Sequence, residues 1–263
     1  MRIEEKFKQL GKEKKKAFIA YYTFGFPEIS YTSDICLALQ DAGVDIIELG
    51  FPFSDPLADG SIIQKASSIA LQQKINLNSY LKILKDIQRD IKIPVVFMSY
   101  YNPVFKYGID SFFSKLAKRG VSGSIIVDLP LEESCQYLVC SKKFNINPVF
   151  FITPATSPER AKRVAAAAKG FIYYISITGT TGPRSLNFKD IASQIKEIKR
   201  ITATPVCVGF GIHNRRQVKA ISSFSDGVIV GSEIIKFIGQ NYKRKNFLKS
   251  LKRRVEDLGA SSN

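Results

Sequence analysis

The sequence predicts a single (β/α)₈ barrel, and three observations carry that prediction. Eight short apolar runs rich in β-branched or aromatic residues recur along the chain, at 17–23, 45–50, 95–100, 124–128, 148–153, 171–176, 205–209 and 227–230, each ending in polar, Gly or Pro residues. They lack strict polar–apolar alternation, as expected of parallel strands covered on both faces. Helical patterns separate the runs with no long linker, so strand and helix alternate eight times. The length, 263 residues, matches the roughly 250 residues of one such barrel, and one domain over residues 1–263 is expected. A doubly wound sheet is the alternative; eight units and a glycine-rich C-terminal half favour closure.

The elements follow in order. Ile3, Phe7 and Leu10 fall at helical spacing, which predicts an extra N-terminal helix on the barrel floor. Further helical patterns cover 31–42, 62–72, 77–87, 109–118, 132–142, 158–168, 188–201 and 215–222. Two of them lie between the second and third strands, so one is an inserted helix after strand 2. Ser157 before Pro158 supplies a cap followed by proline at the first helical position.

Composition narrows the function. Hydrophobic residues make up 45% and charged residues 24%, enough apolar material for a sizeable core. The four cysteines, Cys36, Cys135, Cys140 and Cys207, have no metal-like spacing, and a reduced cytoplasmic protein is the simplest reading. The charged N-terminus is no signal peptide, and no apolar run approaches transmembrane length. The formal charge of +16 is concentrated near residues 2–16 and 243–254. Without interleaved aromatics or a nucleic-acid motif, these stretches read as solvated helix faces: no specific nucleic acid, no membrane. A positive field also steers a phosphorylated substrate.

In a barrel the strand C-termini and the loops after them form the active face. Those ends carry Tyr21 and Thr23, Glu48, Ser99 and Tyr100, Asp128, Thr153, Tyr173 and Ser176, Gly209 and Gly211, and Gly231. The set is rich in carboxylates and aromatics and poor in nucleophiles. With His213 as the one histidine, a two-histidine metal site is excluded; the ring itself reads as structural or solvent-facing. No lysine lies within a strand, which argues against a Schiff-base aldolase. Carboxylate acid–base chemistry on an apolar or aromatic substrate is expected. The loops 209–211 and 178–182, with Gly231-Ser232 opening a helix, suit a phosphate dianion held by backbone N–H groups.

The most informative stretch is 48–64, Glu-Leu-Gly-Phe-Pro-Phe-Ser-Asp-Pro-Leu-Ala-Asp-Gly-Ser-Ile-Ile-Gln. It places Glu48 at a strand end, where a carboxylate is costly without a partner or a task, and Asp59 in a loop stiffened by Pro52 and Pro56. This stretch closely resembles the signature of the tryptophan synthase alpha subunit family, and family-like stretches, including 99–103 and 128–134, run along almost the whole chain.

The resemblance implies cofactor-independent retro-aldol cleavage of indole-3-glycerol phosphate to indole and glyceraldehyde 3-phosphate. It makes Glu48 the general acid/base and Asp59 the carboxylate that meets the indole N–H. Tyr21, Tyr100 and Tyr173 would line the substrate pocket. Thr181 would sit on a lid that closes towards Asp59, and Gly182, Gly211, Gly231 and Ser232 would bind phosphate. Pro52, Asp55 and Asn102 would meet a pyridoxal-phosphate-bearing beta subunit in an alpha-beta-beta-alpha assembly. Three departures from the family pattern stand out: Ser61 for proline, Phe24 for a smaller residue at the pocket mouth, and Glu233 for alanine. Glu233 is expected to point to solvent as a helix N-terminal charge. Other readings are a sugar-phosphate isomerase or epimerase on the same fold, a stand-alone indole-releasing lyase, and a non-catalytic activator of a beta subunit.

Overall fold

A computed structural model of the chain describes residues 1–176, 187–209 and 211–260. Among the described residues nine parallel strands form one sheet: β1 (Ala17–Thr23), β2 (Ile46–Gly50), β3 (Val95–Ser99), β4 (Gly123–Ile126), β5 (Asn147–Val149), β6 (Phe151–Ile152), β7 (Ile172–Ile175), β8 (Val206–Gly209) and β9 (Gly227–Val230). Their order, β5-β4-β3-β2-β1-β9-β8-β7-β6, brings the two ends of the sheet to consecutive stretches of chain, giving a nearly closed (β/α)₈ barrel. The described helices are α1 (Ile3–Lys12), α2 (Thr32–Asp41), α3 (Ser61–Leu71), α4 (Leu77–Ile87), α5 (Tyr101–Tyr107), α6 (Ile109–Lys118), α7 (Cys135–Phe144), α8 (Pro158–Ala167), α9 (Phe188–Ile201), α10 (Arg215–Ser222), α11 (Ser232–Asn241) and α12 (Phe247–Gly259).

The expected fifth strand is two strands. β5 pairs with β4 through Gly123↔Asn147 and Ile125↔Val149, and β6 pairs with β7 through Phe151↔Tyr173. One stretch of chain thus serves two neighbours, with the break at Phe150. The helix expected at 132–142 begins later: Ser134 Oγ donates to the Leu131 carbonyl at 2.7 Å, closing a 3₁₀ turn before α7 starts at Cys135. Helix α5 has no counterpart in the sequence reading. Its start is held from another strand's loop, because Asp128 Oδ1 accepts from the Tyr101 N–H at 2.7 Å. Pro103 falls in its first turn, where a missing N–H removes no helical bond.

Strand burial explains the sequence pattern. Every residue of β1 and β2 is buried, one face turned to the barrel interior and the other to the helices. Phe24, expected at the pocket mouth, belongs to the helix side. It is fully buried, edge-on to Tyr80 of α4 with centroids 4.9 Å apart and stacked on Phe51 at 6.2 Å. The basic C-terminal stretch likewise has an apolar face: α12 buries Phe247, Leu251, Val255 and Leu258, at helical spacing. All four cysteines are free, and Cys36, Cys140 and Cys207 are buried.

Helix α1 closes the barrel floor, as its periodicity predicts. Ile3 is fully buried, and a Cβ added to Gly123 at the start of β4 would stand 2.6 Å from its Cδ1. Gly170, with φ +76°, offers it a second notch at 3.2 Å. Lys6 Nζ reaches Asp45 Oδ1 at 3.4 Å, while Asp45 Oδ2 accepts from the Phe18 N–H at 2.9 Å. Truncating Ile3 to alanine should therefore cost about 2–5 kcal/mol, the range for large-to-small changes in a packed core. Urea unfolding of the variant checks this; a loss under 1 kcal/mol would mean that α1 rests on the floor without filling it.

Candidate active site

Glu48 is placed by alternation on β2. It faces the barrel interior, opposite Tyr21 of β1 and Val96 of β3. The residue is fully buried, and among the described residues neither carboxylate oxygen has a hydrogen-bond partner. Burial pushes its carboxyl up to about 8 from an ordinary 4.5, because an apolar surround favours the uncharged acid. At neutral pH this side chain holds its proton.

Two tyrosines share the interior with it. Burial, and then the charge of Asp59, holds the Tyr21 phenol well above its ordinary range. Burial, and then Glu48, does the same for Tyr173. Both remain neutral. Each ring lies across a glycine on the adjacent strand: a Cβ at Gly50 would stand 2.6 Å from Tyr21 Cε2, and one at Gly209 2.7 Å from Tyr173 Cε1. No larger residue leaves the rings room to lie there.

Asp59 arrives from the loop between β2 and α3. Tyr100 Oη donates to Asp59 Oδ2 at 3.2 Å and accepts from the Ala58 N–H at 3.1 Å. Gln64 Nε2 donates to the Asp59 carbonyl at 2.9 Å. Burial raises the Asp59 carboxyl to about 6, partly offset by the Tyr100 hydrogen bond. The two carboxyls are thus pushed to either side of neutral pH, the arrangement that separates an acid from an ionised partner.

A cavity of about 370 Å³ is lined by Tyr21, the cross-strand neighbour of Glu48, while Glu48 itself is buried behind the lining. Tyr173 and Asp59 line the cavity too, with an apolar wall of Met98, Ile63, Ile212 and Ile229. Gly211, Gly231 and Ser232 also line it. There α11 begins at Gly231 with no side-chain cap, so its first N–H groups have no partner within the helix. Tyr100 stands behind Asp59 rather than on the wall. Thr181 and Gly182, with the lid expected at 178–182, lie outside the described residues.

The other expected residues separate by surroundings. Asp55 and Asn102 are exposed, while Pro52 is buried, in the floor of a shallow groove shared with Ile75 and Pro103. Ser99 Oγ donates to the Phe51 carbonyl at 3.0 Å. Thr153 closes a local turn with Thr156, and Asp128 caps α5. His213 is exposed at the cavity rim, its Nδ1 3.0 Å from the Gly211 carbonyl. Glu233 departs from expectation. It lies on the cavity wall with its side chain 17% exposed, paired to Arg254 Nη2 at 2.7 Å; the salt bridge from α12 turns it away from solvent.

The sequence reading missed the apolar wall and Lys236, which joins the cavity one turn into α11. Period-two alternation from Val96 reaches Met98 on the inner face; the Lys236 signal is its spacing from Ser232. Among the described residues there is no His, Cys, Asp and Glu cluster fit for a metal and no helix long and apolar enough to cross a membrane.

Comparison with known proteins identifies the family. The family model described as tryptophan synthase alpha chain matches residues 7–262. The tryptophan synthase alpha chain of Caldanaerobacter subterraneus subsp. tengcongensis is 42% identical over 257 residues, covering 98% of each chain. That of Geotalea daltonii is 40% identical over 235 residues, covering 89% of each. Among solved structures, tryptophan synthase subunit alpha from Legionella pneumophila superposes with a TM-score of 0.91 at 30% identity, over 99% of this chain and 98% of that one. A chain of tryptophan synthase from M. tuberculosis, in its aminoacrylate-bound form, gives 0.89 at 30% identity, over 100% and 99%. This chain belongs to the tryptophan synthase alpha chain family.

Proposed function

We propose that the chain, acting as one barrel domain in the cytoplasm, is the lyase subunit that cleaves indole-3-glycerol phosphate to indole and glyceraldehyde 3-phosphate in tryptophan biosynthesis. The observation that carries this reading is Glu48: a buried carboxyl without a hydrogen-bond partner among the described residues, whose cross-strand neighbour Tyr21 lines a cavity that also takes in a helix N-terminus. A purely structural carboxyl would have acquired hydrogen bonds.

The indole ring lies against Met98, Ile63 and Ile229, with the phosphate at Gly211, Gly231 and Ser232. Gly182 adds to the phosphate loop, and Thr181 brings the lid over the substrate. Glu48, protonated in its dry site, gives its proton to the ring carbon that bears the glycerol chain. The ring then carries positive charge at its nitrogen, whose N–H donates to ionised Asp59; this stabilisation grows as the charge develops. Glu48, now a carboxylate, takes the proton of the adjacent glycerol hydroxyl. The carbon–carbon bond breaks, its electron pair returns to the ring, and indole and the aldehyde part. Every proton and electron pair in this sequence is supplied by the substrate or by Glu48, so the chain needs no cofactor.

Asp55 and Asn102, exposed on the same side as the Asp59 loop, face a pyridoxal-phosphate-bearing beta subunit in an alpha-beta-beta-alpha assembly, with Pro52 in the groove between. Leu57 is 84% exposed and Phe105 61% exposed beside them, more apolar surface than a free loop and helix tip require.

Indole release from indole-3-glycerol phosphate tests the function directly. Glu48→Gln should lower turnover by about 10²–10⁴-fold with binding retained, since an amide transfers no proton. Asp59→Asn should lower kcat more than it raises KM, because the charge it meets develops in the transition state. Wild-type turnover in the first variant, or a pure KM effect in the second, would remove those roles.

Docking of a beta subunit should raise the activity about 5–150-fold, the usual scale of such coupling, with Asp55→Ala losing most of the gain. A chain fully active alone and unmoved by any beta subunit would be a stand-alone indole-releasing lyase.

A further inference from the structure

The phosphate end of the cavity holds an acid where an anion is to bind. Glu233 is the second residue of α11, on the cavity wall beside Ser232. An ionised carboxylate in a first helical turn interacts well with the helix dipole, and for that reason it competes with any dianion for the same N–H groups.

Its surroundings remove the conflict. Glu233 Oε1 accepts from Arg254 Nη2 at 2.7 Å, with both side chains partly buried. Arg254 Nη1 also faces Asp257 Oδ2 at 3.6 Å, and Arg215 Nη1 of α10 reaches Asp257 Oδ1 at 3.8 Å. A chain of alternating charge therefore ties the first turn of α11 to α12 and α10. Lys236 lies one turn beyond Glu233, exposed on the cavity wall. At that spacing, i to i+3, a released Glu233 could pair with it.

We propose that Arg254 is a positioning residue for phosphate recognition. It neutralises Glu233 and holds it against α12, which leaves the N–H groups of α11 and the Lys236 ammonium to the substrate phosphate. The inference rests on the reading of Gly211, Gly231 and Ser232 as the phosphate end. It adds a residue outside the cavity whose charge sets affinity without touching the substrate. The carboxylate at 233 and the guanidinium at 254 then act as a unit: losing the arginine alone does harm, and losing both does not.

The test is steady-state cleavage of indole-3-glycerol phosphate by the full chain, with glycerol 3-phosphate as competing phosphate monoester. Arg254→Met should raise KM and the glycerol 3-phosphate inhibition constant together by about five- to tenfold, the scale of a like charge near a helix terminus, with kcat within about twofold. Arg254→Gln provides a second removal of the charge should the methionine variant fold poorly, and melting curves identify that case. Arg254→Lys should rescue most of the loss, and Glu233→Ala/Arg254→Met should bring both constants back to wild-type values. Unmoved constants in folded Arg254→Met and Arg254→Gln would overturn the proposal. So would a double variant as weak as the single, since that marks a packing role for Arg254. A wild-type chain that cleaves its substrate but ignores glycerol 3-phosphate would overturn the phosphate assignment and the inference with it, leaving the Glu48 chemistry in place. A wild-type chain that releases no indole would overturn the lyase reading itself.

Discussion

The structure depends on one constraint, a carboxyl group buried inside a barrel with no hydrogen-bond partner among the described residues. Burial without a hydrogen-bond partner among the described residues leaves Glu48 the neutral form, and the fold bears the consequence. Below pH 4.5 both folded and unfolded chains hold the proton, and there is no penalty. Between 4.5 and about 8 the unfolded chain releases it while the folded chain keeps it, so stability falls as pH rises through that interval. Much around the residue serves to keep it dry. Ile3 plugs the floor, Gly50 and Gly209 let Tyr21 and Tyr173 lie across the interior, and isoleucines wall the cavity.

The same constraint divides labour between two carboxylates. Asp59 comes from a loop and keeps one hydrogen bond, from Tyr100, so it ionises at lower pH than Glu48. In the proposed reaction a strand fixes the group that moves a proton. A loop, braced by Tyr100 and Gln64, brings the group proposed to answer charge. That loop also displays Asp55 and Leu57 on its outer side, so whatever docks there touches the backbone that carries Asp59. The proposed anion recognition uses backbone groups of the same cavity, whose direction is set by α11 rather than by a side-chain rotamer.

Much of this was legible in the sequence because buried parallel strands are written as apolar runs. Strands β1 and β9 and helices α4, α6, α9 and α10 fall at the residues their patterns predict, and Glu48 could be placed because a carboxylate ending an apolar run is conspicuous. What was hidden has physical causes. In strands covered on both sides, inward and outward residues look alike, so Phe24 reads equally well as a pocket or a helix-packing residue, and Met98 and Ile229 can be assigned to the wall only by alternation from a neighbour whose facing is known. The break at Phe150 belongs to barrel closure, which no local pattern records. Helix α5 is started by Asp128, 27 residues away. Glu233 was misplaced for the same reason: its partner, Arg254, lies 21 residues further on in another helix, and an isolated first-turn acid gives no hint of it.

The central claim, that the barrel keeps Glu48 protonated at neutral pH in the free protein, is open to direct measurement. A carbon-13 titration of glutamate side-chain carboxyls, with Glu48→Gln supplying the assignment, reports its midpoint. The account predicts a midpoint near 8, far from the other glutamates. A midpoint near the ordinary 4.5 would mean that water or an unseen donor reaches the carboxylate, and that the proton delivered to the substrate ring comes from elsewhere.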